Sequence, residues 1–489
     1  MISRERVLAA LRRQDVDYVP CSCFFTPSLV GPQYTWKGRA DTLDRIVNGL
    51  GLDGYVHTGI EPSWHPDVTT RVWREQRPGE RWPILHKEIQ TPRGVLTAAI
   101  WITDDLEHKD DIPLISDWNV SRFVKPWLET MADVECYRYV QLPPVDDAIA
   151  QAKERFAADR KLADEYGVIT RAHCGLGLTS AIAMFGAEQA VMTSMDRPDI
   201  IERFLEIEHQ ATIRRAEVLA DLGVDVIVRN GFYETTDFWS PRQIEQLLVP
   251  LLREEIEAMR SGGAAVTYTV ETGIMPMLDI LANLDFDGYH AIEPALGHQD
   301  MRVVAEKLCA RHSIWGGVSG PVHIGEGTPE IARQAVRDAF ATFGKRGLIL
   351  GAVPSIRAHW PWENALAMFD EWRKLCRLEE NTASHVHSLP LRPQPGSICL
   401  AAVGGRMSTV YKLPLVLEEQ PEGGYTVTCP LVPELVTEGE TIQEAIANTG
   451  DALAALIELY EDLGRPLPAA LQPIPTHERF LVEAAVAVA

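Results

Sequence analysis

Along the middle of the chain, short runs of β-branched and other apolar residues alternate with longer stretches in which apolar positions recur every three or four residues. Three such runs, residues 224–228 (VDVIV), 265–270 (AVTYTV) and 288–292 (GYHAI), run into polar or ionisable side chains, and helical patterns follow. A strand that is apolar on both faces must be covered on both sides, and a helix crossing back over the sheet does this. The rhythm therefore predicts parallel βα units. Further runs at 18–25, 54–58, 168–173, 312–317 and 347–353 raise the count to eight, which predicts a TIM (β/α)8 barrel. Residues 67–103 break the rhythm: RVWREQ, ILHKEIQ and GVLTAAIWIT, with TPRG as a turn, predict an inserted antiparallel β flap. The α/β barrel spans residues 1–378.

Residues 379–406 lose all periodicity and become a Pro- and Ser-rich linker. From 407 to 489 the pattern restarts, with strands at 410–417 and 424–429, a helix over 441–463 and a final strand at 480–488. This predicts a small C-terminal α+β domain. Gly404, Gly405 and Arg406 directly precede Met407, as a translated ribosome-binding site would, which suggests that the two parts were once separate genes.

A length of 489 residues suits a barrel plus one small domain. The net charge of −23 argues against nucleic acid and anionic membrane surfaces as partners, because their phosphates would be repelled. No run of eighteen apolar residues predicts a transmembrane helix, and MISRERVLAALRRQD lacks the apolar core of a signal peptide. Eight scattered cysteines suit a reduced cytoplasm, the expected location.

Active sites of such barrels sit on the loops after the strands, so the ionisable residues there are the candidates. His57, His173 and His290 each end a strand, and imidazoles titrate near neutrality, which suits proton transfer. Glu271 could act as a general acid or base if burial raises its pKa; otherwise it caps a helix. Arg229 offers a guanidinium fork for a carboxylate or phosphate, or else orders its loop through Glu234 or Asp237. Asn230, Tyr233, Tyr268, Glu293 and Arg357 complete the substrate-binding candidates for a small molecule. Cys21 and Cys23 with His173 and Cys174 form a weak zinc alternative, because a single residue between cysteines is a poor zinc spacing. Trp64, Trp73, Trp82 and Trp101 either stack on a flat ligand or pack the flap onto the barrel, with packing preferred.

The first part resembles the uroporphyrinogen decarboxylase superfamily, which also contains cobamide-dependent methyltransferases. SRERVLAALRRQDVDYVP, IQTPRG, LGVDVI followed by SPRQIEQLLVPLL, IEP and PWENALAM carry the resemblance. It implies a lyase that decarboxylates a porphyrinogen without a cofactor, or a methyltransferase working with a corrinoid on a partner protein. The departures are specific. CSCFFTPSLVGP holds none of the decarboxylases' substrate-binding arginines, and His57 lies in the neighbourhood of their essential aspartate. Thr269-Val270-Glu271-Thr272 replaces the zinc methyltransferases' His-x-Cys-Gly, and GAVPSI replaces their later cysteine. Glu271 thus stands where those enzymes hold a metal ligand, and zinc is not expected.

Residues 411–468, YKLPLVLEEQPEGGYTVTCPLVPELVTEGETIQEAIANTGDALAALIELYEDLGRPLP, resemble the HicB-type antitoxin domain. That resemblance implies a toxin-like partner or self-association. The 21 residues after it are too few for a helix-turn-helix. A non-catalytic binding protein, with the HicB-like domain capturing its partner, is the alternative to an enzyme.

Overall fold

The computed structural model describes residues 1–25, 37–106 and 108–377. Beyond these it describes 399–401, 410–412, 416–420, 424–429, 432–439 and scattered positions between 441 and 457. The chain divides into two compact units, Met1–Asn381 and Thr382–Ala489.

In the first unit, strand β1 (Tyr55–Thr58) is followed by a flap of β2 (Thr69–Glu75), β3 (Ile84–Thr91), β4 (Gly94–Trp101) and β5 (Phe123–Lys125). Then come β6 (Ile169–His173), β7 (Val226–Asn230), β8 (Ala265–Thr269), β9 (Gly288–His290), β10 (Ser313–Ser319) and β11 (Leu348–Val353). Seven of them form one parallel curled sheet in the order β1-β6-β7-β8-β9-β10-β11. Residues 19–25 complete the ring as an irregular eighth strand. The Ser22 amide donates to Leu350 O (2.9 Å), and the Leu350 amide to Pro20 O (2.8 Å). On the other side the Asp53 amide, just before β1, donates to Cys21 O (2.8 Å). The expected TIM barrel is therefore present.

Two apolar clusters separate the faces of the strands. Ile169, Val226, Val228, Ala265, Trp315 and Ile349 fill the barrel interior with Val7, Ala10 and Leu11 of the helix Ser3–Leu11. Ala172, Ile227, Val266, Tyr268, Ile314 and Leu350 belong to the outer layer under the helices. Period-two alternation then sets every other residue: Arg171, His173, Asn230, Thr269 and His290 face in, whereas Arg229, Tyr268 and Tyr289 face out. Glycines 167 and 223, at φ +63° and +74°, end the helices Asp146–Tyr166 and Pro198–Leu222, whose chains then turn into β6 and β7.

The flap is antiparallel in the order β2-β3-β4-β5, with Thr91–Gly94 at its tight turn. Its fourth strand, only three residues long, was not foreseen. Trp73 stacks on His86 within the flap (centroids 5.0 Å apart, planes 4° apart).

In the second unit Val416–Glu419, Tyr425–Cys429 and Val432–Gly439 form an antiparallel sheet, and Cys399–Ala401 pairs with Val410–Lys412. The strand Val432–Gly439 was missed, because Pro433 interrupts its apolar pattern and it runs directly into EGET, which reads as a turn. Helical backbone appears within the predicted helix, at 444–445, 448–449 and 452–453. The predicted strand 480–488, Met407 and most of the linker lie outside the described residues.

Candidate active site at the mouth of the barrel

The C-terminal ends of β1 and β6 bring two imidazoles together: the rings of His57 and His173 lie 5.3 Å apart between centroids. His173 Nδ1 is 2.8 Å from Asn230 Oδ1, at the end of β7. An amide oxygen can only accept, so the neutral ring carries its proton on Nδ1 and presents Nε2 as a lone pair. His290, at the end of β9, meets Thr269 Oγ1 at 3.4 Å and packs edge-on against Trp315.

All three imidazoles are held neutral. For His173 and His290 burial is the main cause, and the Arg171 guanidinium adds repulsion, with His173 falling to about 3; His57, exposed at the end of β1 yet crowded by the cavity wall and Arg171, is lowered as well. Arg171 is itself buried in the barrel. Its guanidinium lies over the rings of Tyr55 (4.8 Å) and Trp315 (5.1 Å), and its Nε has no partner. Among the described residues no carboxylate pairs with it.

Beside His57, His173 and Asn230 opens a cavity of about 430 Å³. Trp64, Leu114, Ile115 and Leu176 give it apolar walls, and Glu61, Glu208 and Arg215 line it as well. Helix Pro198–Leu222 delivers Glu208 and Arg215. Arg215 Nε donates to Ile60 O at 2.7 Å, and Glu208 accepts hydroxyl hydrogen bonds from Tyr137 and Ser180.

A second cluster sits after β8 and β9. Burial, then the neighbouring Glu293 and Asp117, push the Glu271 carboxyl up to about 7. Burial also raises Glu293, which accepts from the Ala295 amide at 2.8 Å. Gln299 ties the two loops by donating to the carbonyls of Glu271 (2.9 Å) and Glu293 (2.8 Å). Tyr233 is raised by burial and by Asp117, and Arg357 acts on Glu271 from the exposed loop after β11. Between His290 and Glu293, Ala291 adopts φ +68°, a left-handed conformation that a Cβ disfavours.

Two substrate-binding candidates are placed elsewhere. Arg229 and Tyr268 face out of the barrel because they alternate with inward Val228, Asn230, Thr267 and Thr269. Arg229 is fully buried and spent on Glu234 (3.1 Å) and Glu255 (2.6 Å), and the Tyr268 hydroxyl also donates to Glu234. The zinc alternative is also separated: Cys21, Cys23 and Cys174 lie in the outer apolar layer, with Cys174 Sγ on Thr212 O, whereas His173 faces inward. Among the described residues no three His, Cys, Asp or Glu side chains are gathered for a metal ion.

Arg171, Glu208 and Arg215 were not anticipated. Each had a signal: Arg171 is a charge amid an apolar strand, while Glu208 and Arg215 occupy the buried stripe of an amphipathic helix, seven residues apart.

Among the described residues no helix is long and apolar enough to cross a membrane. The uroporphyrinogen decarboxylase (URO-D) family profile matches residues 116–375, more than half of the chain. Antitoxin HicB of Escherichia coli (strain K12) is 36% identical over 72 residues, 14% of this chain and 50% of that protein. The chain thus spans half the length of that curated relative. UPF0150 protein ssr1765 of Synechocystis sp. (strain ATCC 27184 / PCC 6803 / Kazusa) is 32% identical over 59 residues, 12% of this chain and 75% of that protein. Among solved structures, a methyltransferase from Methanosarcina mazei aligns at TM-score 0.48 and 18% identity, covering 76% of this chain and 99% of that one. A B12-independent methionine synthase from Shewanella sp. W3-18-1 aligns at TM-score 0.40 and 10% identity, covering 73% and 96%. The chain belongs to the uroporphyrinogen decarboxylase family, and it carries in addition a segment of the family of UPF0150 protein ssr1765.

Proposed function

We propose that the barrel mouth is the active site of a methyl-transferring member of this enzyme family, working on a small substrate with a corrinoid carried by a partner protein. The observation that carries the reading is the cavity beside His57, His173 and Asn230: one guanidinium and two carboxylates line it. An eight-carboxylate porphyrinogen calls for several cations, and that lining does not supply them. The corrinoid, on its partner, supplies the nucleophile or the methyl group. Trp64, which lines the cavity and is 42% exposed, fits an approaching apolar surface.

This chain's residues would then bind and orient the substrate and manage protons. Neutral His173 offers Nε2 as an acceptor at every physiological pH. Glu271, titrating near neutrality, can give a proton to a leaving atom or take one back. The same Glu271 supports a second reading, decarboxylation, in which it would protonate carbon as carbon dioxide leaves. The HicB-type segment adds a proposed toxin-like partner or self-association.

Two anaerobic assays on the purified chain decide between the reactions. Cob(I)alamin with a panel of O-, N- and S-methyl compounds should lose its reduced-cobalt absorbance with at least one donor, and His173→Ala should abolish this. Stepwise loss of carboxylates from uroporphyrinogen would instead establish the decarboxylase.

A further inference from the structure

The cavity contains a guanidinium with unspent donors. Arg215 is only 8% exposed, yet of its five N–H groups just the Nε hydrogen bond to Ile60 O is short. Nη2 makes long contacts to His173 O (3.4 Å) and Glu61 (3.7 Å), and Nη1 donates to nothing among the described residues. A nearly buried cation with free donors is costly unless an anion completes it. Neither neighbouring acid does so. Glu208 gives its two oxygens to the hydroxyls of Tyr137 and Ser180, and the Glu61 side chain is 85% exposed at the rim, where an ion pair contributes little.

Other donors converge on the same space. Asn230 uses its oxygen on His173, which leaves its amide nitrogen for a ligand, and Gln141 is also among the lining residues. The imidazoles beside them are uncharged, so Arg215 is the cation the cavity presents. Trp64, Leu114, Ile115 and Leu176 supply apolar lining to the same cavity. A volume of about 430 Å³ is of the order that holds a small molecule.

We propose that this cavity is a carboxylate pocket, in which Arg215 receives the anionic group of a small organic acid while its apolar body lies against Trp64 and Leu176. This deepens the methyl-transfer reading by naming the substrate class, and it rests on that reading only for the chemistry that follows binding. The bound acid would lie beside His57 and His173.

Isothermal titration of the full chain with acetate, butyrate and benzoate, each against its uncharged amide, tests the pocket. At least one acid should bind about tenfold or more tighter than its amide, and Arg215→Gln should erase that preference. Arg215→Lys, which keeps the charge without the fork, should retain part of it and guards against a folding defect. Glu61→Gln, a change on the surface, should leave acid binding equal or tighter. Equal binding of acids and amides, an unaffected Arg215→Gln protein, or weaker binding in Glu61→Gln overturns the proposal. The readout is independent of turnover. Arg215-dependent binding without methyl transfer would sink the catalytic reading alone, and methyl transfer without acid preference would sink this pocket alone.

Discussion

Replacing Arg229 by methionine separates a structural role from a substrate-binding one. The guanidinium holds Glu234 through two contacts of 3.1 Å and Glu255 through one of 2.6 Å, and all three side chains are 3% exposed or less. Glu234 also accepts from the Leu178 amide at 2.8 Å, and Glu255 lies 3.2 Å from His209. Methionine would fill the volume but leave buried Glu234 without a cation and Glu255 with His209 alone. Breaking a buried pair in this way costs about 3–5 kcal/mol. Burial has already raised Glu234, so it can escape part of the penalty by taking up a proton, whereas Glu255 is held low by Arg229 and loses most. The expected loss is about 4 kcal/mol, a large fraction of a typical folding free energy. Urea unfolding followed by tryptophan fluorescence reads it as a lower midpoint at unchanged slope. Gly177→Ala attacks the same network from the other side. Its Cβ would lie 2.4 Å from Glu234 Oε1 and 2.5 Å from Arg229 Nη2, at φ +47°. The two losses should therefore combine less than additively. An Arg229→Met protein that loses under about 1 kcal/mol but no longer binds substrate would refute the reasoning.

Glu271→Gln should change the pH dependence of stability. The folded carboxyl titrates at about 7 against an ordinary 4.5, so its contribution is full below 4.5 and is lost as pH rises through 7. Above pH 8 the variant should gain up to about 3 kcal/mol over the wild type, and a melting difference that stays flat from pH 5 to 9 would contradict this. Arg171→Met should raise the titration points of His173 and His57, read by imidazole nitrogen NMR; unchanged values would mean that burial alone keeps them neutral. His173 itself is depressed, so its contribution is present above an unfolded value of 6.5 and is lost as pH falls toward 3. Ala291→Gly relieves a left-handed backbone and should stabilise by up to about 1 kcal/mol, while a loss of stability on melting would show that the Cβ is needed.

The barrel was legible because parallel strands buried on both faces leave apolar runs that few other arrangements produce. Which face a residue takes was harder to read. Arg229 and Asn230 are neighbours after the same run, yet one lies behind the sheet and the other at the cavity, and only register fixes which. His57 and His173 could be read as strand ends, but their contact could not, since more than a hundred residues separate them. Arg215 escaped notice for a different reason: a charge on a helix reads as solvated surface until the buried stripe through Phe204, Glu208 and Ala211 shows otherwise. The strand Phe123–Lys125 is simply too short to show a period of two.

The way residues 19–25 close the barrel has a consequence for how the protein is made. Cys21 bridges Leu350, and Phe25 bridges Ile356, so one of the first segments synthesised waits for one of the last in the unit. At ribosomal speeds of about 5–20 residues per second, the roughly 330 residues between Cys21 and Leu350 take some tens of seconds to emerge. During that time the edge of the early segment that faces β11 stays unpaired, a state in which chaperone holding has most to offer. A chain interrupted before β11 would have no partner for its beginning, so truncation anywhere upstream should yield aggregates rather than a smaller working barrel.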